Sequence, residues 1–336
     1  MEGSVTTFSD IVDTALEGTL VGSFTRIGAS VRRSLDAWDS EPLPSLEGRV
    51  AVVSGATSGL GLVTAQRLAA LGAHVCILAR DEGKAARVRT SILNDVPGAS
   101  LTIARGDTGH LDDMRRVARE IAARHERVDV LVHNAGALDA ERTVSPEGIE
   151  TTVASHVVGP LVLTRALLPC LERAGSSRPP ARVLWVSSGG MYAEPLDTSR
   201  LEMPHRGYDG VVAYARAKRA QVTLSEMLAE RLASRGIVVH AMHPGWADTP
   251  GVARSLPRFR AMLRPLLRTP NEGADTLVWL AASRGLPSTT TGRFWLDRRV
   301  RAIHKLSSTR ASDTAAERER LWRWLATVSG EPETWP

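Results

Sequence analysis

Tyr214 and Lys218 stand four residues apart in Tyr214-Ala215-Arg216-Ala217-Lys218, which puts a phenol and an ammonium on one face of a helix, one turn apart. A free phenol titrates near ~10, too high for ready proton exchange at neutrality, and a nearby cation favours the phenolate. The pair is therefore a candidate general acid/base. The same spacing also decorates many helix surfaces. Its weight here comes from Ser187-Ser188, which close an apolar run upstream of the tyrosine. Hydroxyls at such places reach the sheet edge, or merely cap a turn.

A second group suits a phosphate. Ser54-Gly55-Ala56-Thr57-Ser58-Gly59-Leu60-Gly61 follows an apolar run and precedes a helical stretch ending near Gly72. Glycines let the backbone turn sharply and approach a pyrophosphate, and the following helix offers free N–H groups and the positive end of its dipole. A strand before and a helix after are what make such a turn informative. Gly55, Thr57, Ser58, Gly59, Leu60 and Gly61 are candidate cofactor contacts.

For these groups to meet, strand ends must share one edge. Short β-rich runs at 50–54, 74–78, 100–104, 129–133, 182–187, 238–242 and 293–296 alternate with longer helical stretches, the pattern of a parallel sheet with helices on both faces. The expected fold is α/β: a Rossmann-type doubly wound parallel sheet of about seven strands, in one domain over 47–300. Ligands in that architecture sit outside the carboxyl ends of the strands, where the serine pair and the glycine turn fall. Residues 1–46 form an N-terminal helical extension. The strand pattern stops after Asp297, and residues 301–336 form a helical tail opened by Ser312 and Asp313.

The G-x-x-x-G-x-G spacing, taken with Ser188, Tyr214 and Lys218, resembles the short-chain dehydrogenase/reductase family. Asp107, with Thr108 beside it, matches that family's adenine-contacting acid. His133-Asn134-Ala135-Gly136 resembles its N-N-A-G segment, with the first Asn replaced by His. Pro244-Gly245-Trp246-Ala247-Asp248-Thr249 resembles its P-G-x-x-x-T segment. The strings VSSGGM from Val186, MHPGWADTPGV from Met242, GADT from Gly273 and FWLDR from Phe294 resemble one branch, the dehydrogenase/reductase family member twelve group.

The resemblance implies a nicotinamide-dependent oxidoreductase acting on a carbonyl or alcohol. Ser188 would bond the substrate oxygen, Tyr214 transfer the proton, and Lys218 tune the tyrosine and bind the nicotinamide ribose. Asn134, Ala135, Gly136, Pro244, Gly245, Trp246 and Thr249 would line the cofactor. An acid ending the second strand reads the 2′-hydroxyl of NAD, and an arginine pairs with the 2′-phosphate of NADP. Ala79 and Arg80 stand there, which favours NADP(H), with Asp81 as the alternative ribose acid. The family usually carries an Asn three residues before a glycine on its fourth helix, whose backbone holds a water relaying protons from the lysine. Counting back from Gly159 puts His156 there. Imidazole can rebuild that relay, or His156 is a core histidine in a slow enzyme.

Composition narrows the rest. Of 336 residues, 43% are apolar and 24% charged, the balance of a soluble globular protein. Forty-two Lys and Arg against 37 Asp and Glu, with no basic run interleaved with aromatics, argue against nucleic acid. Nine histidines without H-E-x-x-H and two cysteines without ligand spacing argue against a metal. Cys76 and Cys170 lie in apolar runs, which points to reduced thiols and a cytoplasmic protein. Residues 1–10 are polar rather than signal-like.

Val12, Leu16, Leu20, Phe24, Ile27, Val31 and Leu35 recur at spacings of three and four, a helical stripe expected to face the protein's own surface or, as a peripheral contact, a membrane. Met191, Tyr192, Leu196, Leu201 and Met203, with Trp246, Leu256 and Phe259, either wall a pocket for a lipophilic substrate or pack the loop onto the sheet. A homo-oligomer is compatible with the sequence. Two rival readings are a dinucleotide-binding sensor or scaffold with little turnover, and a membrane-associated interaction protein acting through its N-terminal helix.

Overall fold

The computed structural model describes residues 7–176 and 179–335, so residues 1–6 of the N-terminal extension and the last residue of the tail lie outside the description. One sheet holds eight strands: β1 (Val50–Ser54), β2 (His74–Ala79), β3 (Leu101–Arg105), β4 (Val130–His133), β5 (Ala181–Val186), β6 (Ile237–Met242), β7 (Arg293–Leu296) and β8 (Arg299–Arg301). Their order is β3-β2-β1-β4-β5-β6-β7-β8. The first seven pair in parallel and fall within a residue of the expected bounds.

Three short helices, α1 (Phe8–Glu17), α2 (Leu20–Phe24) and α3 (Arg26–Leu35), precede the sheet. The crossovers carry α4 (Gly59–Ala70), α5 (Glu82–Asp95), α6 (Leu111–Arg124), α7 (Thr151–Val153), α8 (Gly159–Ala166), α9 (Leu168–Gly175) and the long α10 (Gly210–Leu232). Then come α11 (Pro250–Ser255), α12 (Pro257–Leu263), α13 (Pro270–Ala282), α14 (Leu286–Thr289), α15 (Ser307–Ser312) and α16 (Ala315–Ser329). The central strands are buried on both faces because helices cover both. Ala65, Leu68, Ile92 and Leu277 pack on one side, and Met114, Leu161, Leu224 and Leu321 on the other. The strand order reverses direction between β1 and β4, which opens the crevice where ligands of such sheets sit.

Two expectations are corrected at the ends. The strand pattern does not stop at Asp297: β8 returns antiparallel to β7. Asp297 and Arg298, at φ 55° and 56°, form the turn, with the positive φ at both central residues that tight hairpins need. A three-residue Arg-Val-Arg strand is too short to show alternation in sequence. The tail helix α16 is capped by Thr314, whose side chain accepts from Glu317 N–H, rather than opened at Ser312, which ends α15. Leu321, Trp322 and Leu325 bury against the body.

The N-terminal stripe differs more. It is not one helix but three, interrupted at Gly18-Thr19 and at Thr25, and its apolar residues do not all face inward. Phe24 is 2% exposed, whereas Leu20 is 53% and Ile27 47%. What faces inward is charge. Arg32 bonds Asp13 at 2.6 Å, Asp297 at 2.6 Å and the Ser23 carbonyl at 3.0 Å. Arg268 grips Asp297 at 2.5 and 2.9 Å and the carbonyls of Ser23 and Phe24 at 2.9 and 3.1 Å. The partner that decides the buried face is thus a carboxylate on the β7–β8 turn. A Cβ on Gly28 would lie 2.2 Å from the Gly22 carbonyl oxygen, so α2 and α3 touch backbone to backbone.

Both cysteines are buried and free. Among the described residues no single helix is long and apolar enough to cross a membrane.

Candidate active site

The strand ends bring the chemistry-bearing residues together. Ser188 follows β5 and caps the short turn Gly189–Tyr192, accepting from Gly190 N–H at 3.3 Å. Its neighbour Ser187 instead donates to the Lys218 carbonyl at 3.3 Å, so only the second serine is available to the crevice. Tyr214, on the second turn of α10, bonds Ser188 through its hydroxyl. Although the residue keeps some surface exposure, protein crowding around the phenol pushes its pKa up, against the Ser188 bond.

Lys218 is 3% exposed. Its Nζ donates to the Val186 carbonyl at 2.8 Å and to Gln221 Oε1 at 3.2 Å, and lies 5.5 Å from the Tyr214 ring centre. Burial without a carboxylate pushes the ammonium down to about 7, since desolvation penalises the charged form. A lysine that titrates near neutrality is fit to exchange protons with a neighbouring phenol.

His156 sits in a π-helical turn, Ala154–Val158, between α7 and α8. Such turns aim side chains inward and recur at functional sites. Its ring is fully buried, edge-on to Tyr214 with centres 5.4 Å apart. Nε2 accepts from Ala137 N–H at 2.9 Å, which places the proton on Nδ1, a buried nitrogen without a partner. Burial, then the Lys218 charge, holds His156 well below its ordinary pKa, so the ring is neutral. The group linked toward Lys218 is the His156 carbonyl, through Gln221, a residue the motifs did not single out. Its signal was position: three residues past Lys218, on the same helix face.

The glycine turn fits a dinucleotide. Gly55 and Gly59 have φ of +66° and +54°. A Cβ on Gly61 would come 2.4 Å from both Asn134 Nδ2 and the Gly55 carbonyl, so the closely packed turn admits no side chain there. Ser58 makes no side-chain cap on α4, leaving that helix's first amides unclaimed by its cap. Thr57 is half-buried and Leu60 packs against the core below. Asn134 donates to the carbonyls of Ser54 and Gly55 at 3.0 and 3.3 Å, and Ala135 N–H to Ser54 Oγ at 3.0 Å, which ties β4's end to the turn. Gly136 leaves room for His156, whose Nε2 would be 2.6 Å from an added Cβ. His133, in place of the family's Asn, bonds Thr164 Oγ1 at 2.7 Å and is buried.

Arg80, at the end of β2, is 73% exposed along its side chain, with one contact to Asp107 Oδ2 at 3.4 Å. Asp107 accepts from Gly109 N–H, and Thr108 beside it is buried. Asp81 caps α5, accepting from Lys84 N–H at 2.8 Å, so of the two candidates for the ribose position Arg80 is the one with a free end.

The segment after β6 closes the crevice. Thr249 caps α11 and lies against Gly59, 3.2 Å from where a Cβ would be. Gly245, at φ +74°, leaves no space for a side chain because Arg268 is packed on it. Trp246 donates its backbone N–H to the Phe24 carbonyl at 2.7 Å, and its ring stands edge-on to Phe24 and Phe259. Pro244 lends a carbonyl to Arg268 at 3.4 Å. The N-terminal helices therefore brace this segment from behind. Met191, Tyr192, Leu196, Leu201 and Met203 are buried, and Tyr192 bonds the Ala302 carbonyl at 2.9 Å: the loop between Ser188 and Tyr214 is packed onto the body. Trp246, Leu256 and Phe259 remain partly exposed. Among the described residues no group of three His, Cys, Asp or Glu is placed to hold a metal.

The short chain dehydrogenase family pattern matches residues 49–258. Human "Dehydrogenase/reductase SDR family member 12" is 35% identical over 276 residues, covering 82% of this chain and 84% of the relative. Mouse "Polyprenol dehydrogenase" is 32% identical, covering 82% and 84%. Among solved structures, the Pseudomonas aeruginosa RhlG/NADP active-site complex is similar with a TM-score of 0.62 at 27% identity, covering 76% of this chain and 96% of that one.

Proposed function

Because the chain belongs to the short-chain dehydrogenase family and is an NAD(P)-dependent oxidoreductase, we propose that it works with NADP(H) on a lipophilic carbonyl or alcohol. The observation that carries the reaction is the contact of Tyr214 with Ser188 above a buried, carboxylate-free Lys218. When bound, the nicotinamide supplies the hydride exchanged with the substrate carbon. Tyr214 holds the proton at its hydroxyl and gives it to the substrate oxygen in reduction. Ser188 steadies that oxygen as negative charge develops on it. Lys218, which titrates at about 7, resupplies the proton that Tyr214 gives up.

Gly55, Gly59, Gly61, Asn134 and the first amides of α4 would hold the pyrophosphate, and the Gly245–Thr249 segment the nicotinamide end. Arg80 supports NADP(H), since its guanidinium is exposed while Asp81 is spent as a helix cap, and guanidinium suits a phosphate. A lipophilic substrate is supported by the polyprenol dehydrogenase likeness and by the partly exposed Trp246, Leu256 and Phe259 beside the crevice.

The test is NADPH oxidation with a panel of isoprenoid and long-chain aldehydes, alongside NADPH binding by fluorescence. Tyr214→Phe should lower turnover about 10²–10⁴-fold with binding retained. Dinucleotide binding with no turnover on any carbonyl would favour the sensor reading instead.

A peripheral membrane contact is favoured by one observation. Phe8, Ile11, Leu20, Val21 and Ile27 are 72%, 59%, 53%, 46% and 47% exposed, an outward apolar face on helices whose inner face is charged. Replacing Phe8, Ile11 and Leu20 by Ser in the full chain should reduce co-sedimentation with anionic phospholipid vesicles. Unchanged sedimentation would rule the contact out.

A further inference from the structure

Gln221 lies three residues past Lys218 on α10 and is 1% exposed. Both ends of its side chain are used. Oε1 accepts from Lys218 Nζ at 3.2 Å, and Nε2 donates to the His156 carbonyl at 3.1 Å. The reverse orientation would set NH₂ against an ammonium and oxygen against a carbonyl, so the network fixes the assignment. Chain chemistry explains why that carbonyl is open: the residue four positions on is Pro160, which has no N–H to return to it. The π-turn at Ala154–Val158 further displaces the helix ladder there.

The geometry points to Gln221 as the positioning residue of Lys218: its amide joins the ammonium directly to the His156 carbonyl, where the family resemblance implies a water. This rests on the oxidoreductase reading for its catalytic meaning. With Val186 and Gln221 as acceptors, two of the three ammonium hydrogens are committed, and the lysine is held in place by neutral partners alone. An amide holds but does not pass protons as a water does, so proton return to Lys218 does not run through this carbonyl. The low titration of Lys218 agrees with two neutral acceptors and no carboxylate.

The chain has three lysines, Lys84, Lys218 and Lys305, so side-chain NMR of lysine-labelled full-length protein resolves each titration, with Lys218→Arg assigning the resonance. Gln221→Met, of similar volume, should move the Lys218 midpoint down by half a pH unit or more. Gln221→Glu should raise it by one unit or more. Midpoints within 0.3 units of the original in both variants would overturn the proposal and leave Gln221 as packing. Should Gln221→Met fail to unfold cooperatively, Gln221→Glu decides alone. The titration needs no dinucleotide and no substrate, so a failure of turnover on every carbonyl would count against the enzymatic reading without touching this result.

Discussion

Two of the places where this protein buries cations give them opposite fates. Arg32 and Arg268, each about 1% exposed, converge on Asp297 with Asp13 and Glu17 close by. Burial works to raise Asp297, but Arg268 and Arg32 more than reverse it and hold the carboxyl below its ordinary range. Burial likewise works to lower Arg32, and Asp297 outweighs it. Lys218, 3% exposed, meets only a carbonyl and an amide oxygen, and falls to about 7. Burial alone therefore does not decide whether a cation titrates; the charge of its partners does. One site is locked and holds the N-terminal helices, while the other is left poised for proton transfer.

The sharpest test of the locked site removes its shared anion. Asp297→Asn takes from buried Arg268 its paired carboxylate and from Arg32 one of three, and breaking such a pair costs about 3–5 kcal/mol. Denaturant unfolding followed by tryptophan fluorescence reads this, and a loss under about 1 kcal/mol would break the contrast. At the poised site the sign inverts. The unfolded chain keeps the Lys218 proton up to the ordinary lysine value of 10.5, and the folded chain releases it at about 7. Between those values the unfolded state binds more protons, so stability rises with pH; below 7 the full penalty remains. Lys218→Met should therefore stabilise the protein at pH 6 by roughly 2 kcal/mol, part of the relief being offset by two lost hydrogen bonds, and should flatten the rise toward pH 10. Destabilisation at pH 6 would sink that account.

Asp297 titrates the other way. Its depressed carboxyl contributes stability that is present above the unfolded carboxylate value and lost only as pH falls through the lower folded one. Hydrogen exchange over residues 8–35 should consequently stay protected from pH 8 to pH 5, and early release in that window would show the clamp to be weaker than its geometry. The smallest stability effect belongs to Arg80, whose exposed contact with Asp107 is worth under about 1 kcal/mol. Arg80→Ala should leave unfolding nearly unchanged while weakening NADPH about tenfold or more relative to NADH. Equal weakening of both would remove Arg80 from the phosphate site.

The sheet and the crevice were legible because their signals are local. The parallel strands are short, mostly apolar runs, as in β1 and β2, and the glycine turn, Ser188 and the Tyr214–Lys218 pair are fixed by spacing along the chain. What escaped depends on distant partners. The face that α1–α3 bury is chosen by Asp297, 265 residues from Arg32, and a 3.6-residue period cannot report a buried ion pair. Of the apolar stripe only Phe24 is fully inside, and the polar Asp13, Ser23 and Arg32 took the inward positions. Gln221 was invisible for a related reason: its meaning lies in the His156 carbonyl that Pro160 leaves open, which becomes a partner only once the π-turn at Ala154–Val158 packs on α10.

The clamp also sets an order of events during synthesis. Arg32 leaves the ribosome long before the Asp297 that it pairs with, 265 residues later. At roughly 5–20 residues per second that separation is a wait of about 15–50 s. Throughout it Arg32 lacks its Asp297 partner and Phe24 is unburied, so the segment made earlier is the one that docks last, sealing the sheet only after its final hairpin has turned.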